Sequence, residues 1–186
     1  MKYHFAMRAA AAATALLLAL SGCGQAAAES ESQAEEVPFA YGVDSYADID
    51  LSAVAEQIYA GCKLDSLLAG SVEQVTDSQT LSELYYMPMD ALVDYAVYSA
   101  DGRFGAADVA IMRVRDGRAE EVAEALEQRK ADRIAEFLNF NVNDSYNIAL
   151  NADIYEEGEL VIMLMLSDSD KATARGIIDS YLPAEN

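Results

Sequence analysis

Asp108-Val109-Ala110-Ile111-Met112-Arg113-Val114-Arg115-Asp116-Gly117 is the stretch on which the fold turns. Val109 to Val114 is a short apolar run closed by the turn pair Asp116-Gly117, which reads as a strand. The longest helix opens directly after it, from about Arg118 to Leu138, with Glu120 and Glu121 in the first turn where the helix dipole favours acids. Upstream, Leu92 to Ser99 is rich in Val and Tyr and fits another strand, joined to the first by the turn Asp101-Gly102-Arg103-Phe104-Gly105. Downstream, Asn139 to Tyr146 reads as a polar loop and Ile148 to Tyr155 alternates as a strand does. Glu156-Glu157-Gly158 then reads as a hairpin turn into the continuous apolar run Leu160 to Leu166. Ser167 or Asp168 caps a last helix through Ile177, Ile178 and Tyr181, stopped by Pro183. Strands joined by short turns run antiparallel. The order ββαββα therefore predicts an α+β fold, with a sheet of about four antiparallel strands and helices mainly on one face.

Two or three short helices are expected ahead of this core. Leu51, Val54, Ala55, Ile58 and Tyr59 recur at helical spacing, so Leu51 to Ala60 reads as an amphipathic helix capped by Asp50 or Ser52 and ended by Gly61. Leu64 to Val75 is ambiguous, its best fit being a short helix broken at Gly70-Ser71. Asp77-Ser78-Gln79-Thr80 offers caps for a helix from Leu81 to Tyr86, which Pro88 stops.

The N-terminus reads as an address. Met1 to Arg8 carries Lys2, His4 and Arg8 and no acid, and Ala9 to Leu20 is apolar apart from Thr14. A basic start and about a dozen apolar residues make a secretory signal, too short to span a bilayer stably. Its exit, Leu20-Ser21-Gly22-Cys23, resembles the lipobox of bacterial lipoproteins. That resemblance implies cleavage between Gly22 and Cys23 and a diacylglyceryl thioether on Cys23. Stable anchoring takes roughly two acyl chains, each buried methylene contributing about 0.8 kcal/mol. The expected organisation is a signal peptide over 1–22, a lipidated cysteine with an acidic tether over 23–40, and one α+β domain over 41–186. Gly24 to Pro38, rich in Ala, Glu, Ser and Gln, is too polar to fold, and as a coil it spans about 20 Å. The expected location is the extracytoplasmic face of the bacterial cell membrane, with the membrane itself a partner only through the lipid.

Charge narrows the classes of partner. The chain carries 12 Lys and Arg against 32 Asp and Glu, a net −20, and removal of Lys2 and Arg8 with the signal would bring it to −22. Such a surface repels nucleic acid and anionic lipid alike. Removing Cys23 to lipid leaves Cys62 alone, so no intramolecular disulfide is expected. Cys62 reads as a small buried hydrophobe at a helix end rather than a nucleophile. His4, the one histidine, leaves with the signal, which excludes Ser-His-Asp, Cys-His and His-ligated zinc chemistry in the mature chain. No cofactor, phosphate loop or nucleotide fingerprint is expected.

From Leu81 to Leu182 the chain resembles a family of uncharacterised bacterial lipoproteins, a domain of unknown function widespread in clostridial-type bacteria. The matching features are Tyr85-Tyr86 with Pro88, Ala107-Asp108-Val109-Ala110-Ile111-Met112 leading into Asp116-Gly117, and Val122 to Leu126 ahead of Arg129. Glu157-Gly158-Glu159-Leu160-Val161 and Ser167-Asp168 complete the set. The resemblance implies an extracellular lipoprotein and brings no activity or functional residues.

The least ordinary feature lies on the long helix. At about 100° per residue, Val122, Leu126, Arg133 and Phe137 fall within about 60° of one another, flanked by Arg129 and Lys130. Arg129, Arg133 and Lys130 are therefore candidates for holding an anionic ligand, since guanidinium grips carboxylate bidentately. The preferred alternative has their stems covering the core edge and their heads pairing with acids of the sheet or neighbouring helices. Arg113 and Arg115 are expected to face solvent. Tyr85, Tyr86, Tyr95 and Tyr98 either line a groove or pack in the core. Asp168-Ser169-Asp170 resembles a piece of a calcium loop but lacks its remaining ligands, so helix capping is preferred and no metal site is expected. No catalytic residue stands out. The leading function is a membrane-anchored, non-enzymatic module that binds a protein or small ligand. A transporter's solute-binding lipoprotein and a carboxylate-dependent enzyme on envelope polymers stand behind it.

Overall fold

In the computed structural model the described residues are 43–66, 71–102 and 104–184. The signal segment expected over 1–22, the cleavage expected between Gly22 and Cys23 and the tether expected over 23–40 lie outside them. Helix α1, Leu51–Gly61, starts where the Asp50 carboxylate accepts from the backbone N–H of Ser52 at 3.0 Å and Ala53 at 3.1 Å. Strand β1, Val72–Gln74, follows, then helix α2, Ser78–Tyr85, whose cap is the Asp77 side chain at 2.7 Å from Thr80 N. Tyr86 ends α2 in the left-handed region. Strands β2, Leu92–Ala100, and β3, Asp108–Val114, form a hairpin, and helix α3 runs over Ala119–Phe137. Helix α4, Ser145–Leu150, leads to strands β4, Asp153–Glu157, and β5, Leu160–Met165, and helix α5, Asp168–Asp179, is capped by Ser167.

The five strands form one antiparallel sheet in the order β1-β2-β3-β5-β4. The class is the α+β expected, with one strand more. The helices divide between the faces rather than gathering on one. Leu160, Ile162 and Leu164 point toward α1 and α5, into a core with Val54, Ala55, Ile58, Ala174 and Ile178. Val161, Met163 and Met165 point the other way, into a core with Leu81, Tyr85, Val122, Leu126 and Phe137 from α2 and α3. A strand covered on both faces has no wet side to alternate toward, which is why β5 is continuously apolar.

Three local expectations are corrected. At the end of the stretch read as Leu64 to Val75, Val72–Gln74 form the edge strand β1, pairing with Ala100, Ser99 and Tyr98; residues 67–70 lie outside the described residues. The polar loop expected over 139–146 holds to Asp144, closing in a 3-10 turn over Val142–Asp144, whereas the strand expected from Ile148 gives way to α4, and β4 begins only at Asp153. Asn143 and Asp144 take left-handed backbone and Asn141 Oδ1 accepts from Tyr146 N at 2.8 Å, which starts a helix that buries Ala149 completely. Arg113 does not face solvent. It is 6% exposed, donating to Asp94 at 3.0 Å and to the Ile49 carbonyl, because β3 is central and the strand end is covered by the chain entering α1. Arg115, beyond the strand, is exposed as expected.

Candidate functional site

A cleft of about 810 Å³ opens between β1, α2, the end of β2 and α3. Its walls carry Glu73, Gln74, Asp77, Thr80, Leu84, Asp101 and Glu136, and its floor carries Ser99, Arg129 and Arg133. Alternation sets the floor: Glu73 stands opposite Ser99 in the β1–β2 register, and Ser99 opposite Asp108 in β2–β3, so all three share the face that α3 covers.

Beneath the cleft lies a buried polar network centred on Asp108. Arg129 donates from Nε to Asp108 Oδ2 at 3.1 Å and from Nη2 to Ser99 Oγ at 3.1 Å. The Ser99 hydroxyl in turn donates to Asp108 Oδ2 at 3.3 Å, and the Tyr85 hydroxyl donates to Oδ1. The Arg129 guanidinium also stands 5.0 Å from the centre of the Tyr85 ring. Burial pushes the Asp108 carboxyl up from its ordinary value, with Arg129 opposing. Desolvation would lower Arg129, but the charge of Asp108 beside it prevails and holds its pKa above the ordinary value. Tyr85, raised by burial and then by Asp108, stays a protonated donor.

Arg133 sits one turn further along α3, 2% exposed. It donates to Glu136 at 2.7 Å and to the Gly105 carbonyl, and its guanidinium lies 4.7 Å from the centre of the Phe137 ring. Burial and the neighbouring Arg129 charge lower its pKa. Gly102 closes over the Arg133–Glu136 pair so tightly that a Cβ there would come within 2.4 Å of Glu136 Oε1.

Residues 67–166 match the family described as a domain of unknown function, DUF4358. The chain belongs to the DUF4358 family. The matched segment begins ahead of β1 and ends with β5, whereas the resemblance in the sequence itself runs from Leu81 to Leu182. The DUF4358 segment therefore contains every strand among the described residues, α2, α3 and α4, the cleft and the network below it. Helices α1 and α5, which cover the opposite face, fall outside it. No curated protein and no solved structure matches the chain.

The candidates singled out from the DUF4358 sequence separate in space. Arg129 and Arg133 come together on the cleft floor, their heads paired with acids. Lys130 turns aside and donates to the Ala152 carbonyl at 2.8 Å, tying α3 to the start of β4. Cys23 and Gly22 lie outside the described residues. The tyrosines share no groove: Tyr85 is fully buried toward α3, Tyr86 is 59% exposed, and Tyr98 packs on the opposite face against Tyr59 at 4.9 Å. Cys62 is buried, its thiol directed at the Asp170 carbonyl and pushed up to about 11, by burial first and Asp170 second. Ser167 caps α5, and among the described residues no group of three metal-ligating side chains converges. Sequence reasoning missed Asp108 and Ser99. The available signal was an acid leading an otherwise apolar strand, with basic residues on the apolar stripe of the following helix.

Proposed function

We propose that this DUF4358 chain is a lipid-anchored extracytoplasmic module that binds a ligand in the cleft between β1, α2 and α3 without transforming it. Anchoring rests on the basic, apolar and Leu-Ser-Gly-Cys order that ends at Cys23. Binding rests on one observation: four separate elements contribute polar side chains to a single concavity underlain by a buried charged network. Concave sites with a few fixed polar groups are where ligands bind. The cleft offers neither histidine nor cysteine among the described residues, and its two arginines are paired, which favours recognition over turnover.

Two experiments test the reading. Cys23→Ala should abolish acyl labelling and release the chain or leave it unprocessed; unchanged labelling refutes the anchor. For the cleft, the full chain in detergent is screened by thermal shift against peptides, sugars and cell-wall fragments. A ligand at a hundred times its Kd adds about 2.7 kcal/mol of stability, several degrees in a domain of this size. Leu84→Trp, which fills the mouth from an exposed position on α2, should remove the shift. A shift that survives this substitution places binding elsewhere.

A further inference from the structure

We infer that the cleft accepts an extended basic peptide segment laid along the outer edge of β1; this rests on the cleft being the binding site. The first support is charge. Glu73, Asp77, Asp101 and Glu136 line the cleft against Arg129 and Arg133, an excess of two carboxylates. Both guanidiniums are already engaged, Arg129 by Asp108 and Arg133 by Glu136. An anion entering here would meet a net negative lining and find both guanidiniums occupied, whereas the same lining attracts a cation.

The second support is spacing. Among the described residues no three acids converge to hold a metal ion, so the carboxylates are spread along the cleft rather than focused on a point. A ligand carrying several separated ammonium or guanidinium groups matches that spread.

The third support is the backbone. Val75 N donates to Val97 O and Ser71 O accepts from Asp101 N, so residues 71, 73 and 75 turn their main-chain groups toward β2. Val72 and Gln74 then turn theirs outward, and among the described residues β1 has no strand on that side. An exposed edge of this kind pairs with an incoming extended chain, main-chain bonds giving affinity and alternate side chains giving specificity. Glu73 faces the cleft, so a strand added beside it places every second side chain over the carboxylates.

The test uses the full chain in detergent with six-residue peptides of lysine, of glutamate and of alternating glycine and serine, together with spermine, followed by calorimetry. Hexalysine should bind, spermine at least about tenfold more weakly. Glu73→Gln with Asp101→Asn should weaken hexalysine about tenfold or more, whereas Glu124→Gln on the far side of α3 should not. Raising salt from 0.1 to 1 M, which shortens the Debye length from about 10 to about 3 Å, should weaken it further. Spermine binding as tightly as hexalysine overturns strand addition. Equal loss in the Glu124→Gln control reduces the effect to the chain's overall charge and overturns the site. A glutamate or glycine-serine peptide that binds and is displaced by Leu84→Trp overturns the basic-ligand inference while leaving the cleft as a binding site. Silence from every peptide at the cleft overturns both.

Discussion

Asp108→Asn and Arg129→Met break the same buried ion pair from opposite ends, and the two should respond differently to pH. The Asp108 side chain is fully inaccessible and that of Arg129 is 10% exposed, so neither charge can retreat to water once its partner is gone. Removing one member of a buried pair costs about 3–5 kcal/mol, because the other is left uncompensated. At about 2–4 °C per kcal/mol for a domain of this size, that is a fall in Tm of the order of 10 °C. Asp108→Asn strands a guanidinium that cannot shed its proton, so the stranded charge brings no pH dependence of its own and no relief on acidification.

Arg129→Met strands a carboxyl that can take one up. Burial already raises Asp108 above the ordinary value of 3.8, and loss of Arg129, the leading opposing influence, raises it further. A folded carboxyl pKa above the unfolded one means that the fold holds the proton more tightly. The group's contribution is then fully present below the unfolded pKa and lost as pH rises through the folded one. Each pH unit across that interval changes stability by about 1.4 kcal/mol. Arg129→Met should therefore be less damaging at pH 5 than at pH 8. Urea unfolding followed by far-UV circular dichroism measures both, the chain having no Trp to report by fluorescence. Penalties below about 1 kcal/mol at neutral pH, or an Arg129→Met penalty that ignores pH, would refute the reasoning.

Two further outcomes follow from close contacts elsewhere. Gly158, at φ +58°, has the Tyr46 ring so near that a Cβ would lie 2.0 Å from its Cζ. Gly158→Ala should cost about 1–2 kcal/mol for the left-handed backbone alone and more for displacing the ring. In a Tyr46→Ala background only the backbone share should remain, and additivity of the two changes in a double-mutant cycle would rule out the clash. Cys62, its thiol pushed up to about 11, should resist iodoacetamide in the native chain at pH 7.5 and react readily in urea; alkylation at a free-thiol rate would contradict its burial.

The fold was legible where one residue type dominates a stretch. Leu160 to Leu166 contained more than a strand assignment: a run with no polar alternation belongs to a strand covered on both faces, and the two cores follow from it. The expectation of helices on one face overlooked that. Strand β1 was hidden because Val72-Glu73-Gln74 is too short for a period to show, and only its pairing with β2 makes it a strand. Helix α4 was hidden because Ile148 and Tyr155 suggested alternation, while the burial of Ala149 and the cap from Asn141 decided otherwise.

The site divides in the same way. The period of α3 alone placed Arg129 and Arg133 on its apolar face, and arginines on such a face need acids. Which acid was a question of topology: Asp108 is 21 residues from Arg129, and only the return of α3 across β3 brings them to 3.1 Å. Stability does not explain why the chain keeps this arrangement, since a buried ion pair replaced by well-packed apolar residues of similar volume often leaves a protein as stable or more so. A role in binding does. Arg129 and Ser99 each contact the network below and line the cleft above, so the buried charges fix the floor that a ligand meets. Replacing Asp108 and Arg129 together by Leu and Met should then recover most of the stability lost in either single variant. It should also weaken cleft binding, a separation that urea unfolding and calorimetry on one protein can measure. Recovered stability with undiminished binding would reduce the network to core packing that happens to lie beneath a cleft.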